Sequence, residues 1–447
     1  MRITKLYIKS FKNLQDFTWE LNPEYPVAVI VGKNASGKSN LLEAILLIFA
    51  QVRTDKIDKK FHFEVVYQDI DRNEVIFKND EKGFVSTRNG NAIDPNRVFP
   101  KQIVSYYAGI SERMVKLINR YHLFMLSDGT KELDIVYLKD THFKIALLTL
   151  FGSKLERIRK KLLEDTFQIL DLEFVEITLQ KPTYQSSKLA NVDNFWFAPP
   201  NLVLFFQEIV NSQNMFQKFG NSKNDHSLTF PLIQESLSKL MDSTLINNRE
   251  TTFFEYLSEA FAAGYLKDIS FEFKKKGISE SLNFEDLSEG EKQKIGMRGT
   301  IELFLGNETL FLLDEPDAFA HPRWQWEFVP DLQETLGDSL SSQVVFVTHS
   351  PLVLSTVKDN AFVMENGKIM ELNYLYGKDV DTVLIDAMDT EKRLRQVEID
   401  FESYFNLIES GKGETSEAKK MRKELENIYD PNHPNFSKSD MLRTLYL

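Results

Sequence analysis

The sequence predicts an α/β fold: a parallel-sheet core preceded by a β-rich N-terminal lobe, split by a helical insertion and followed by a helical tail. Three observations carry that prediction. A short apolar run, Pro26 to Val31, leads through Gly32-Lys33-Asn34-Ala35-Ser36-Gly37-Lys38-Ser39 into Asn40 to Phe49, where Leu41, Leu42, Ile45, Ile48 and Phe49 recur at helical spacing. Far downstream, Thr309 to Asp317 reads TLFLLDEPD, an apolar strand that runs into adjacent carboxylates. Between the two lie long amphipathic patterns with few Gly or Pro.

Residues 32–39 satisfy G-x-x-x-x-G-K-[ST], and the required context of strand before and helix after is present. Gly32 and Gly37 let the backbone curl so that successive N–H groups from Lys33 to Asn40 face phosphate oxygens. Lys38 reaches the outer phosphates, Ser39 ligates Mg²⁺, and the anion sits at a helix N-terminus. ATP and Mg²⁺ are therefore the expected ligands. Leu41 to Ala50 is too short for a bilayer, which needs about 20 apolar residues, and it contains Glu43.

The chain has 447 residues, room for about two or three domains, and 27% of them are charged, an ordinary globular composition. It contains no cysteine, which excludes disulfides and Cys-anchored zinc, and its seven His show no metal-type pairing. MRITKLYIKSFKNL lacks an apolar signal-peptide core, so a cytoplasmic protein without a membrane span is expected. A net charge of −12 argues against coating nucleic acid over the whole surface but permits a local basic groove. The 35 Phe are read as core and helix-seam residues.

In order along the chain, residues 2–9 alternate as a strand, and Asp16 to Leu21, Phe61 to Tyr67, Glu74 to Phe77 and Gly83 to Ile93 extend a β-rich lobe. The last of these contains Asn89-Gly90, suited to a type I′ hairpin. Ile103 to Tyr107 is a further strand. Helical patterning follows from Ser111, through Lys144 to Leu170, and again over Pro231 to Leu266. Glu173 to Leu179 and Ile269 to Lys276 are strand-like, with a polar loop around Lys181 to Asn194. No long heptad run appears, so extended coiled-coil arms are not expected. The expected division is 1–110 and 269–378 as the two halves of one nucleotide-binding head, 111–268 as a mainly helical insertion, and 379–447 as a charged helical tail.

Within Phe311 to Pro316, the strand end places Asp314 where it can hold Mg²⁺ and leaves Glu315 to orient and deprotonate an attacking water. Two neighbouring carboxylates beside phosphate make chemical sense only with a cation between them. Leu287-Ser288-Glu289-Gly290-Glu291-Lys292-Gln293 lies just before a helix upstream of that strand, and Val344 to Val347 runs into Thr348-His349-Ser350-Pro351. With these motifs in this order the chain resembles the ABC-type ATPases of the SMC, RecF and OLD groups over roughly residues 1–110 and 270–375.

The resemblance implies several roles. Ser288, Gly290 and Glu291 form a signature that meets the γ-phosphate held by a second copy of the chain, and His349 senses that phosphate. A glutamine at the join of lobe and insertion touches Mg²⁺; Gln102 is the candidate, with Gln68 as competitor. The sequence DAFAHP after Pro316, where transporters have S-A-L-D, points to the soluble OLD and RecF types. The segment after Leu375 is too short for a Toprim nuclease domain, and Asp379-Val380-Asp381 reads as a helix cap.

In the tail, Phe401 to Phe405 with Ile408, Glu417-Ala418, and His433 to Phe436 through Asp440 resemble the C-terminal extension of the PtuA group of bacterial defence ATPases, from Septu and retron systems. That likeness implies an HNH endonuclease partner docked on the tail and a role in antiphage defence. The ABC-type resemblance of the head implies a head-to-tail dimer, or a larger assembly, around ATP. A RecF-like repair ATPase and an ATP-bound scaffold with little turnover are the alternatives. Lys154 to Lys161 and Lys274-Lys275-Lys276 are candidate DNA contacts, against a simpler reading as solvated faces.

Overall fold

The structure is a computed structural model that describes residues 1–109, 113–128, 134–186, 191–212, 227–337, 342–388, 395–430 and 432–446. Its strands, in chain order, are β1 (Arg2–Phe11), β2 (Leu14–Glu20), β3 (Val27–Val31), β4 (Phe63–Gln68), β5 (Glu74–Asp80), β6 (Gly83–Arg88), β7 (Asn91–Ala92), β8 (Gln102–Tyr107), β9 (Ile135–Tyr137), β10 (Ile169–Gln180), β11 (Ser227–Leu232), β12 (Leu266–Lys275), β13 (Thr309–Asp314), β14 (Ser342–Val347), β15 (Ala361–Glu365) and β16 (Lys368–Glu371). Residues 1–378 form one compact unit and 379–447 another.

In the first unit a seven-stranded sheet runs β16-β15-β3-β14-β13-β8-β9. Every neighbouring pair in it is parallel except β15 with β16. All five residues of β3 are buried, as are all six of β13 and of β14, the continuous apolar pattern of strands covered on both faces. The Lys38–Thr54 helix follows β3 and buries ten residues, among them Leu41, Leu42, Ile45, Ile48 and Phe49.

A six-stranded antiparallel sheet, β2-β1-β4-β5-β6-β7, forms the N-terminal lobe. The Lys38–Thr54 helix shares one core with this lobe, in which Trp19, Phe63, Tyr67 and Phe77 are buried beside Phe49. Trp19 meets Phe362 of β15 edge-on at 5.4 Å. The Gln343 side chain pairs with both backbone groups of Ile3, accepting from its N–H (2.8 Å) and donating to its O (3.3 Å), and so fastens β14 to β1. Asn89 and Gly90 both have positive φ, 49° and 78°, and the tight turn they make splits the expected Gly83 to Ile93 strand into β6 and β7.

The middle of the chain departs from its sequence pattern in three places, one of them the Pro231 to Leu266 run, whose first two residues end β11 and whose last opens β12. β9, only three residues long and too short to show a period, adds to the parallel sheet beside β8. The Asp140–Gly152 helix ends at Ser153, whose Oγ donates to Glu250 and accepts from Leu155 N. The Lys144 to Leu170 run therefore becomes that helix, a π-helical segment over Arg157–Thr166, and the start of β10. β10 is the central strand of a three-stranded sheet, β11-β10-β12. Pro231 sits in β11 at the sheet edge, where a strand can do without one N–H.

The second unit consists of helices at Val380–Asp386, Arg395–Leu407, Ser416–Ile428 and Pro434–Tyr446. Asp379 caps the first, its Oδ1 accepting from Thr382 N at 2.9 Å, which is the capping role read from the sequence. Phe401, Tyr404, Phe405, Ile408, Ala418, Leu425 and Phe436 form its core. His433 stacks on Phe401 with ring centroids 5.3 Å apart, and Arg422 lies 4.6 Å over the Phe436 ring while donating to Ser439 and Asp440. Of the tail residues that carry the family resemblance, Phe401, Tyr404, Phe405, Ile408, Ala418 and Phe436 pack this unit internally, while Glu402, Ser403 and Glu417 are exposed.

Candidate nucleotide site

In a parallel sheet the loops at the carboxyl ends of the strands converge, and the candidate residues lie there. Val31 leads straight into the phosphate loop, Asp314 ends β13, and His349 follows β14, which lies between β3 and β13. Two strand spacings put the β3 and β13 ends about 10 Å apart, a gap that Lys38 and the carboxylates share from opposite sides.

The loop is clamped from outside. Gly32 has φ 153°, and a Cβ there would stand 2.2 Å from Met364 O of β15, so glycine is required. Ser36 O accepts from Asn13 Nδ2 and from Gly367 N, both at 3.0 Å, and Asn13 Oδ1 accepts from Asn40 Nδ2 at 2.7 Å. The β1–β2 turn and the β15–β16 turn therefore brace the loop, while Lys33, Asn34 and Ala35 at its tip stay exposed. Lys38 is buried, its Nζ donating to Gly32 O (2.7 Å) and Lys33 O (3.1 Å). Burial pulls its pKa down, and the charges of Asp314 and Glu315 oppose that pull. The Lys38–Thr54 helix has no side-chain cap, leaving its first N–H groups directed at the loop's concavity.

Across the gap Asp314 is completely buried. Glu315 takes a left-handed conformation, φ 53°, with its N–H donating to Val347 O at 2.8 Å; its carboxylate, Oε1, lies 3.5 Å from His349 Nε2. Burial and the nearby Lys38 ammonium lower the His349 pKa below the ordinary imidazole value, against the pull of Glu315, so the ring is neutral at pH 7. Burial pushes Asp317 up to about 6 despite the hydrogen bond it accepts from Thr348.

The residues present fit a magnesium nucleotide. Ser36 Oγ is buried without a hydrogen-bond partner at the loop's base. Ser39 and Asp314 offer hard oxygen donors, and among the described residues no group of three or more His, Asp or Glu would hold a metal alone. Such a donor set suits Mg²⁺, which takes its remaining ligands from phosphate and water.

Gln102 is not brought to this site. It opens β8 opposite Thr309, whereas Tyr107 at the other end lies opposite Asp314. Five residues at about 3.3 Å each put it about 17 Å away along the strand. Gln68 pairs with Arg2 and Glu74 in the antiparallel lobe and is no substitute. At the β8 end it is Ala108 N that donates to Asp314 O, at 3.1 Å.

The signature stands at the start of the Glu289–Leu303 helix. Ser288 and Glu291 form a capping box: Ser288 N and Oγ donate to Glu291 Oε2 (2.9 and 2.7 Å), and Glu291 N donates to Ser288 Oγ (3.3 Å). Glu291 also pairs with Lys275. Its carboxylate shapes the turn and cannot itself donate to an anion. Gly290 faces the backbone after β13, where a Cβ would lie 2.6 Å from Phe319 O. One turn on, buried Gln293 donates to Tyr106 OH (3.2 Å) and accepts from Phe319 N (3.3 Å). The signature's neighbours are thus β8, β12 and the loop after β13, while the phosphate loop's are Asn13, Met364 and Gly367.

Asn13 was not singled out by sequence, Gln293 was quoted only as the end of the signature stretch, and Gln325, which accepts from Ser350 Oγ and donates to Asp317 O, was passed over. Gly367 carried a signal, since Asn366-Gly367 between two short runs reads as a hairpin turn. The basic clusters are largely compensated: Lys154, Arg157 and Lys161 pair with Asp242, Glu302 and Glu334, and Lys274 and Lys275 with Glu173 and Glu291.

Strand, glycine loop and buried lysine facing a paired carboxylate, with a capped signature helix packed on β8 and the loop after β13, define an ATPase of ABC type. The chain belongs to the AAA_21 family, described as AAA domain, putative AbiEii toxin, Type IV TA system, whose profile matches residues 27–355. It is 22% identical over 451 residues to the Septu protein PtuA of Bacillus mycoides (strain KBAB4), with 96% of this chain and 50% of that protein covered, so it spans half the length of that relative. To the Retron Ec83 probable ATPase of Escherichia coli it is 21% identical over 482 residues, covering 96% of this chain and 84% of the other. A crystal structure of the SmcHead bound to the C-winged helix domain of ScpA is similar over 83% of this chain and 98% of that one, at 15% identity and a TM-score of 0.38. No helix among the described residues is long and apolar enough to cross a membrane.

Because Gly32 admits no Cβ beneath Met364 O, Gly32→Ala is expected to displace the phosphate loop and weaken nucleotide binding at least tenfold, about 1.4 kcal/mol. Equilibrium titration with a fluorescent ATP analogue measures this; parental affinity would contradict the clamp.

Proposed function

We propose that this ATPase is the nucleotide-driven subunit of a cytoplasmic antiphage defence complex. Two copies pair head-to-tail around two ATP molecules and control a separate HNH-type endonuclease that acts on DNA. What supports the pairing of two copies most is the split of the site: Lys38, Asp314, Glu315 and His349 gather at the carboxyl ends of β3, β13 and β14, while Ser288 and Gly290 start a helix packed against β8, β12 and Phe319.

In the proposed reaction the N–H groups of residues 33–40 and the Lys38 ammonium bind the β- and γ-phosphates and align them. Ser39 and Asp314 hold Mg²⁺, which supplies positive charge against the phosphate oxygens when bound. Glu315 accepts the proton of the attacking water. Neutral His349 donates a hydrogen bond to a γ-phosphate oxygen without adding a charge. Ser288 Oγ and the Gly290 N–H meet the γ-phosphate of the partner copy, so ATP favours the dimer by binding across it. The tail is the nuclease dock; Ile428, Met441 and Leu445, 68%, 68% and 75% exposed, are apolar groups that its own core leaves out.

Lys38→Ala should lose ATP binding, whereas Glu315→Gln should keep it and cut turnover at least a hundredfold. Binding and phosphate release on both variants test this. Hydrolysis at the parental rate by Glu315→Gln would remove the general base, and a parental protein that binds ATP without measurable phosphate release would favour the scaffold alternative.

Ser288→Arg should bind ATP without hydrolysing it. Mixed with Lys38→Ala it should recover part of the activity, since one composite site in the mixed dimer has two intact halves; no recovery after subunit exchange counts against the head-to-tail pair.

Removing residues 379–447 should preserve ATP binding and abolish both co-purification of the nuclease and protection against phage. A truncated protein that still captures the nuclease would move the dock elsewhere.

A further inference from the structure

The turn that carries His349 is held from both sides. Ahead of it, fully buried Thr348 donates through Oγ1 to Asp317 Oδ2 at 2.8 Å and accepts there from Ser350 N at 2.9 Å. Behind it, Ser350 Oγ donates to Gln325 Oε1 at 2.8 Å and accepts from Val353 N at 3.3 Å, capping the short Pro351–Leu354 helix. Gln325 Nε2 then donates back to Asp317 O at 3.2 Å and to Ala320 O at 3.4 Å. Asp317, Thr348, Ser350 and Gln325 therefore close a hydrogen-bonded ring across three segments: the loop after β13, the loop after β14 and the Pro322–Leu336 helix.

Asp317 is 3% exposed and Ser350 9%, so most of the ring lies away from water, where each bond is stronger and each loss costlier. Ser350 also caps a short helix, but the Asp317 and Gln325 side chains serve no strand or helix of their own. Gln325 uses its acceptor on one loop and its donor on the other, so a hydrocarbon of the same length would fill the space and join nothing.

We propose that Asp317 and Gln325 are positioning residues that fix the His349 ring against Glu315, a role that rests on reading His349 as the γ-phosphate sensor. The ring ties both loops of the hydrolytic edge to one helix. His349 is clamped by its two neighbours in sequence, and Glu315 hangs from β14 through its bond to Val347 O.

The test is a double-mutant cycle on ATP turnover by the full chain. Gln325→Met keeps the volume and removes all three of its side-chain bonds. It is expected to lower kcat on the order of 10- to 100-fold, with KM for ATP and the unfolding midpoint nearly unchanged. The same substitution in a His349→Ala background should cost less than about twofold more. Ser350→Ala, which deletes one hydroxyl, should show the same loss and the same non-additivity, and it stands in if Gln325→Met folds poorly. Full additional losses from both substitutions on top of an impaired His349→Ala overturn the ring. Parental turnover by His349→Ala overturns the sensor reading itself, and the ring with it.

Discussion

A phosphate loop must keep its backbone N–H groups free for an anion and yet stay in one shape, and the head is arranged around that constraint. The loop bonds itself only sparingly, through Ser36 N to Lys33 O and Lys38 Nζ to the Gly32 and Lys33 carbonyls, because its other N–H groups are reserved for ligand. Its rigidity comes from outside, from Asn13 and Gly367 on the Ser36 carbonyl and from Met364 pressed against Gly32. Those braces lie on turns of two different sheets, so the loop keeps its shape only where the antiparallel lobe and the parallel core are docked. The Gln343 fork on Ile3 and the Trp19–Phe362 contact supply that docking.

The same logic governs charge. Lys38 is buried among carbonyls and opposite two carboxylates, so its cost of burial is offset only when β3 and β13 are in register two strands apart. A change that shifted β13 by one residue would turn Asp314 to the other face of the sheet and leave the ammonium without its counter-charge.

How much of this was legible in sequence depends on the range of the interaction. The loop, Asp314, Glu315, His349 and the capping box are local patterns whose chemistry requires fixed spacing, and the structure lays them where that spacing implies. Gln102 failed because a residue type was sought near a strand without knowing which end of the strand faces the site; only the β8–β13 register decides that. β9 was missed because three residues hold no period, and the Lys144 to Leu170 run misled because helix, π-helix and strand share its apolar spacing over short windows. Asn13 and Gln325 are single polar residues whose partners lie far off in the chain, and no pattern within their own segments marks them.

The pair between Lys275 and Glu291 joins the last residue of β12 to the cap of the signature helix. Glu291 is 40% exposed on its side chain, and such a pair is worth at most about 1 kcal/mol. The three-stranded sheet of the insertion cannot shift against the parallel core without either carrying Ser288 along or breaking that link. The pair is thus one weak side-chain tie between the three-stranded sheet and the turn that carries Ser288, able to break and re-form without unfolding either.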